Sequence, residues 1–380
     1  MKKIVSLLLV VVMMLGLVAC GNSGETKDEE AKTEANAVTE AEEKESEDAP
    51  AAVEIKKIGI SMPTKDLQRW TLDGENLKEK LEEKGFDADL QFANNDVGDQ
   101  VSQIENMIAN GCDVLVIAAI DGSALTTVLD NAKANDVTVI SYDRLIMNSD
   151  AVSYYATFDL ERVGEMQGQY IADKLDLANT DETFNIEIFT GPTDDNNVNF
   201  FYGGAMKILQ PYIDDGTLVV PSGTTSQTET ATDAWSTEEA QKRMENIISA
   251  YYGDGTVLDA VLCSNDSVAN GVSNAIVNGY PGDNKPVITG QDCETTSVKN
   301  IIRGQQSMSV FKDTRQLAAS VVDMIVAMAN GGEVPVTDTE TYDNGILVVP
   351  SFLLDPISVD IDNYEEVLIG SGYYTEDDLN

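Results

Sequence analysis

From residue 55 onward the chain alternates short apolar runs rich in β-branched residues with stretches of helical spacing. This alternation constrains the fold more than any other feature. An apolar run without a polar face reads as a parallel strand covered on both sides. Strands are expected at 56–62 (KKIGISM), 88–93 (ADLQFA), 113–119 (DVLVIAA) and 137–142 (VTVISY). A second series follows at 185–190 (NIEIFT), 217–221 (TLVVP), 259–263 (DAVLC), 286–290 (PVITG) and 306–311 (QSMSVF). Helices are expected near 71–84, 98–110 and 122–135, then near 161–175, 199–211, 237–250, 266–278, 294–303 and 314–330. Two series of βα units imply an α/β chain of two doubly wound parallel-sheet lobes. Ligands of such sheets bind beyond the carboxyl ends of the strands, so two facing ends make a cleft. The loops directly after strands are where functional side chains belong.

The first 52 residues are a different material. Lys2 and Lys3 precede an uncharged apolar run over 4–19, too short for a comfortable membrane span and fitting a secretory signal peptide over 1–19. The run ends in Leu17-Val18-Ala19-Cys20 before Gly21, a pattern similar to the bacterial lipobox. That similarity implies a lipid on Cys20 and a chain anchored at the extracytoplasmic face of the cell membrane. Residues 21–52 hold eleven Asp or Glu, three Lys and no aromatic residue. Such a segment cannot offset its ordering entropy, so 20–52 is expected to be a disordered acidic tether. The remaining chain, Val53 to Asn380, is long enough for two lobes with separate cores. A formal charge of −42 argues against nucleic acid as a partner.

Residue types remove whole classes of chemistry. The chain has no His and no CxxC, which takes away the usual zinc sites, the Ser-His-Asp triad and the Cys-His dyad. Cys112 and Cys263 sit in or beside apolar runs and read as small buried residues. The stretch DDNNVN within 191–199 lacks the alternating spacing and terminal Glu of a calcium loop. No metal and no cofactor are expected.

What the strand ends do carry is polar and aromatic. Asp143-Arg144 follows VTVISY at once, Asn265-Asp266 follows VLCS, and Gln291-Asp292 follows PVITG. A carboxylate beside a guanidinium suits a polyol, because Asp accepts from hydroxyls and Arg donates a fork of N–H groups. Asn265 and Gln291 could instead cap the next helices. Arg69-Trp70 follows the first strand, and Trp235 lies in the loop-like stretch TATDAWSTEE. Flat rings suit the apolar faces of a pyranose, although either Trp could be core. Lys312 ends QSMSVF and can donate to a ring or hydroxyl oxygen.

At these residues the sequence resembles the type I periplasmic binding proteins, most closely the xylose-binding and ChvE-type multiple-monosaccharide-binding proteins of ABC importers. The likeness covers nearly all of 55–350 and rests on ordered motifs. They are RW at 69–70, SQIENMI at 102–108, YDR at 142–144, VGEMQ at 163–167, DNN at 195–197, AWSTEEA at 234–240, SND at 264–266, GQD at 290–292 and SMSVFKDT at 307–314. The resemblance implies a monosaccharide ligand (xylose, glucose, galactose or arabinose) held by Arg69, Asp143, Arg144, Asn197, Trp235, Asn265, Asp292 and Lys312, and Trp70 joins them on the chemistry of its ring. It further implies delivery of sugar to an ABC importer permease by hinge closure and no enzymatic activity, and a monomer is the default expectation. Gln68 stands where xylose-binding relatives carry Glu, so one relative's sugar preference does not transfer. The chain path it implies crosses between lobes near 158, 312 and 342. The first lobe would be 53–158 with 313–342, and the second 159–312 with 343–380. A sensor presenting sugar to a membrane receptor uses the same fold. A glycoside-active enzyme would need two carboxylates set across a scissile bond.

Overall fold

The computed structural model describes residues 54–380. The expected signal peptide, Cys20 and the acidic tether lie outside the described residues. The first lobe opens with β1 (Lys57–Met62), α1 (Gln68–Glu83), β2 (Asp87–Phe92), α2 (Val97–Ala109), β3 (Val114–Ile117), α3 (Thr126–Ala134), β4 (Thr138–Tyr142) and β5 (Val152–Phe158). The chain then crosses at Asp159, whose carboxylate accepts from the Arg162 N–H and caps α4 (Leu160–Lys174).

The second lobe continues with β6 (Phe184–Phe189), α5 (Asn197–Asp215), β7 (Leu218–Val219), α6 (Thr237–Ile247), β8 (Ala260–Cys263), α7 (Asp266–Gly279), β9 (Val287–Ile288), α8 (Thr295–Arg303) and β10 (Met308–Phe311). A second crossing at Lys312 and Asp313 returns the chain to the first lobe with α9 (Thr314–Ala329) and β11 (Ser351–Leu354). The third crossing, at Asp355 and Pro356, leads to β12 (Ile357–Asp360).

Both sheets are parallel and doubly wound. The first runs β11-β5-β4-β3-β1-β2 and the second β7-β6-β8-β9. In each, strand order reverses beside the first strand of the lobe, so loops at the carboxyl ends diverge there and leave a crevice. Burial explains the apolar runs: every residue of β3 and of β8 is inaccessible to solvent, sandwiched by helices on both faces.

Three details differ from the sequence reading. β5, VSYYATF, carries Ser, Thr and two Tyr instead of an aliphatic run, so its pattern does not announce a buried strand. β11 pairs in parallel with β5, which places residues up to Leu354 in the first sheet. The boundary expected at 342 therefore moves to Asp355, because only that pairing satisfies the outer edge of β5. β10 does not extend the parallel sheet along its length. It pairs antiparallel with β12 and touches the sheet edge through Gln291 and Val310. The C-terminal residues close a small cluster of their own: Leu368, Tyr374 and Leu379 bury against Phe311, Val359 and Cys293.

Candidate functional site

The crevices of the two sheets face each other, and the three crossings close one edge. β4 delivers Asp143 directly after its last residue, with a left-handed backbone at φ 58°. Its carbonyl accepts from the Tyr155 hydroxyl at 2.5 Å, Thr157 Oγ1 at 3.0 Å and Asn197 Nδ2 at 2.8 Å. Trp235 (φ 57°) and Asp292 (φ 93°) are also left-handed without being glycine. Each such residue costs about 1–3 kcal/mol and persists only where its surroundings fix it. Three of them in one cleft mark a place where side-chain direction took precedence over backbone comfort.

The first lobe contributes Arg69 and Trp70 from the start of α1, with Asp143 and Arg144 beyond β4. The second contributes Asp195 ahead of α5 and Asn197 at its first position, Trp235 ahead of α6, Asn265 ahead of α7, and Gln291 and Asp292 after β9. Lys312 comes from the second crossing. All nine residues expected from the sequence line this one cleft, together with Leu67, Asp195, Phe201 and Gln291. The space they enclose is about 290 Å³ including its mouth. Asp195 stood inside the DNN motif without being singled out, and Phe201 follows Asn197 by one helical turn, the signal that could have found it.

Charges of opposite sign meet across the lobes. Arg69 Nη2 lies 2.9 Å from Asp143 Oδ2, and its Nη1 lies 3.4 Å from Asp292 Oδ1. Lys312 Nζ approaches the same Asp292 oxygen at 3.0 Å and Asp143 Oδ2 at 3.7 Å. Arg144 Nε pairs with Asp195 Oδ2 at 2.9 Å, and the Trp235 indole N–H donates to that oxygen at 3.2 Å. Burial opposes ionisation of Asp143, but Arg69, then Lys312 and Arg144, outweigh it and hold its carboxyl below the usual range.

Two rings furnish the apolar surfaces. The guanidinium carbons of Arg69 and Arg144 lie 4.4 Å and 5.1 Å from the Trp70 ring centre. Trp70 is thus both core, at 2% exposure, and cleft wall. Asn265 also has two jobs. Its Oδ1 caps α7 by accepting from the Val268 N–H at 2.9 Å, which leaves its amide N–H groups for the cleft. Gln291 does not cap; its Nε2 donates to the Ser264 carbonyl at 2.7 Å. Asn197 spends its amide as a strut, donating to the Asp143 carbonyl and accepting from the Tyr155 hydroxyl at 3.2 Å. Two buried polar atoms of the wall have neither a hydrogen-bond partner nor an ion pair: Gln291 Oε1 and Trp70 Nε1. Asp143 Oδ2 is partnered by the Arg69 guanidinium at 2.9 Å.

Gly191 makes room for the second indole. A Cβ there would stand 2.2 Å from the Trp235 ring. Gly191→Ala is therefore expected to push the indole off the Asp195 carboxylate. Its signature would be red-shifted tryptophan emission with easier quenching by iodide, and unchanged emission would refute this packing.

Residues 58–333 match the model of the periplasmic binding protein domain. The chain belongs to the periplasmic binding protein family. Within it, the multiple sugar-binding periplasmic protein SbpA of Azospirillum brasilense is 50% identical over 84% of this chain and 90% of its own length. The multiple sugar-binding periplasmic receptor ChvE of Rhizobium radiobacter is 49% identical over 87% of this chain and 94% of its own. A solved ABC transporter solute binding protein from Clostridium phytofermentans, with bound β-D-glucose, is 59% identical with a TM-score of 0.85. It covers 86% of this chain, and this chain covers 100% of it. The chain has the two-lobed α/β architecture of a type I periplasmic binding protein.

Proposed function

We propose that this periplasmic binding protein captures a neutral monosaccharide between its lobes and presents the closed form to an ABC importer permease. The observation that carries the reading is Gln291 Oε1, a buried acceptor with no hydrogen-bond partner, beside the Asp143 and Asp292 carboxylates in a wall shared with the Trp70 and Trp235 rings. Acceptors beside donors suit hydroxyls that do both, and flat rings suit the C–H faces of an aldose. Arg69, Asp143, Arg144, Asn265, Asp292 and Lys312 would serve the hydroxyls and ring oxygen. Asn197 would hold Asp143 in place. The charged groups already neutralise one another, so a neutral ligand exchanges hydrogen bonds without stranding a charge.

The relatives' names support this reading, since SbpA and ChvE are both called multiple sugar-binding. The solved relative's β-D-glucose makes glucose the first ligand to try. Catalysis on a glycoside is disfavoured by electrostatics. A hydrolase acid needs a raised pKa, whereas Arg69 and its neighbours push Asp143 the other way. Cys20 would carry the lipid that keeps the protein at the outer face of the cell membrane, with the acidic segment as its tether.

Thermal unfolding with D-glucose, D-xylose, D-galactose and L-arabinose tests the reading. A sugar at one hundred times its Kd should stabilise by about 2.7 kcal/mol, which raises Tm by several degrees. No shift with any aldose would overturn it.

A further inference from the structure

Behind the cleft, one helical turn beyond Arg69, Asp73 is fully buried. Its Oδ2 accepts from Arg69 Nε at 3.0 Å and from Nη2 at 2.9 Å. Its other oxygen accepts from the Tyr142 hydroxyl at 2.5 Å. Tyr142 is the residue before Asp143, so the anchor joins α1 to the end of β4. A guanidinium has five N–H donors in a rigid plane, and two held by one carboxylate fix where the others point. Here they point to Asp143 and Asp292, one in each lobe.

We propose that Asp73 is a positioning residue of the sugar site: fixed by Tyr142, it aims the Arg69 guanidinium into the cleft and so sets how tightly the site holds a monosaccharide. This rests on the reading above that the cleft takes a sugar. Asp73 does not touch the cleft. It acts through Arg69, and it lies outside the residues that either the motifs or the cavity lining single out.

The anchor makes the site sensitive to acid. Burial raises the Asp73 carboxyl to about 6, against the pull of Arg69 and with Asp143 adding to the rise. The ionisable groups facing it are Arg69 on its own helix, Tyr142 and Asp143 at the end of β4, and Tyr373 from the C-terminal segment, which also senses Asp313 ahead of α9. A protonated Asp73 keeps its place but loses the charge that makes its bonds to Arg69 strong. Sugar affinity should fall as pH drops through that region. Glu294 is a separate group in the same range: burial raises it to about 7, with a Ser267 hydrogen bond opposing, Asp292 adding, and only then Arg69.

The test measures the Kd for β-D-glucose by calorimetry from pH 8 to pH 5. The parent should weaken on acidification with a midpoint near 6. Asp73→Asn should bind at least about tenfold more weakly at pH 8, as expected for losing charge-assisted hydrogen bonds, and show no such midpoint. Tyr142→Phe keeps the carboxylate and should show a smaller loss at pH 8, with the midpoint moved upward because the hydroxyl's hydrogen bond no longer favours the ionised form. Glu294→Gln should keep the parent's step near 6. Parent-like affinity and pH profile in Asp73→Asn would overturn the proposal. A second arm needs no sugar. In Trp235→Phe the remaining tryptophan is Trp70, under the Arg69 guanidinium, and its emission should titrate near 6. Adding Asp73→Asn should abolish that titration, and its persistence would overturn the positioning role. If the parent bound no aldose, the sugar reading would fail by itself while this second arm still decided what Asp73 does.

Discussion

Arg69→Met is expected to lose most sugar affinity and about 3–5 kcal/mol of stability at pH 8, the cost of breaking buried ion pairs from one side. Methionine keeps the packing against Trp70, so the effect isolates the charge. Arg69 is the common cation of Asp73, Asp143 and Asp292, all nearly or wholly buried. Lys312 still compensates Asp292 and, at 3.7 Å, Asp143. Asp73 keeps only the Tyr142 hydroxyl.

The pH dependence has a definite sign. Asp143 has a folded pKa below its ordinary value, so its contribution is present above about pH 4 and disappears as pH falls through the folded value. Asp73 has a folded pKa of about 6 against an ordinary 3.8, so folding takes up a proton between them and is favoured by acid. Removing Arg69 raises both, which widens the range over which acid helps the variant. The stability gap to the parent should thus be largest at pH 8 and shrink by pH 5. Urea midpoints at the two pH values check this; a variant within about 1 kcal/mol of the parent at pH 8 would show that Arg69 is not the common counter-ion.

The same corner shows what a sequence discloses. Asp143, Arg144 and Asp292 were legible because each interrupts an apolar run just where a parallel strand must end. Asp73 was not. It sits in QRWTLDGENLKEKLEE among several carboxylates that face water, and only the packing of Tyr142 against α1 distinguishes it. Asn265 illustrates another limit, since a cap and a cleft donor are the same residue type and the structure assigns it both tasks. β5 and β11 were hidden because their burial comes from pairing with each other at the sheet edge instead of from an aliphatic run. The path of the third crossing followed from that pairing and from nothing local.

The second large effect is expected at the contact of α4 with α5, where no charge is removed. A Cβ on Gly164 would stand 2.0 Å from the Phe201 carbonyl oxygen, and one on Gly204 would stand 2.1 Å from that of Glu161. Neither obstacle is a flexible side chain, so Gly164→Ala must move one helix backbone away from the other. Overpacking of this kind costs about 1–3 kcal/mol and occasionally more, and a contact this short should outweigh the gain of about 1 kcal/mol in helix propensity. The displaced helix matters for function because α5 begins with Asn197 and carries Phe201. Asn197 braces the Asp143 carbonyl from the other lobe, at a residue whose left-handed backbone depends on such braces. Gly164→Ala should therefore lower the urea midpoint and also weaken glucose binding at temperatures where the variant is fully folded. Gly203→Ala, on the partner helix α5 with open space around its Cβ, should do neither. Equal behaviour of the two variants would mean that the close helix crossing does not hold the second lobe's half of the cleft in place.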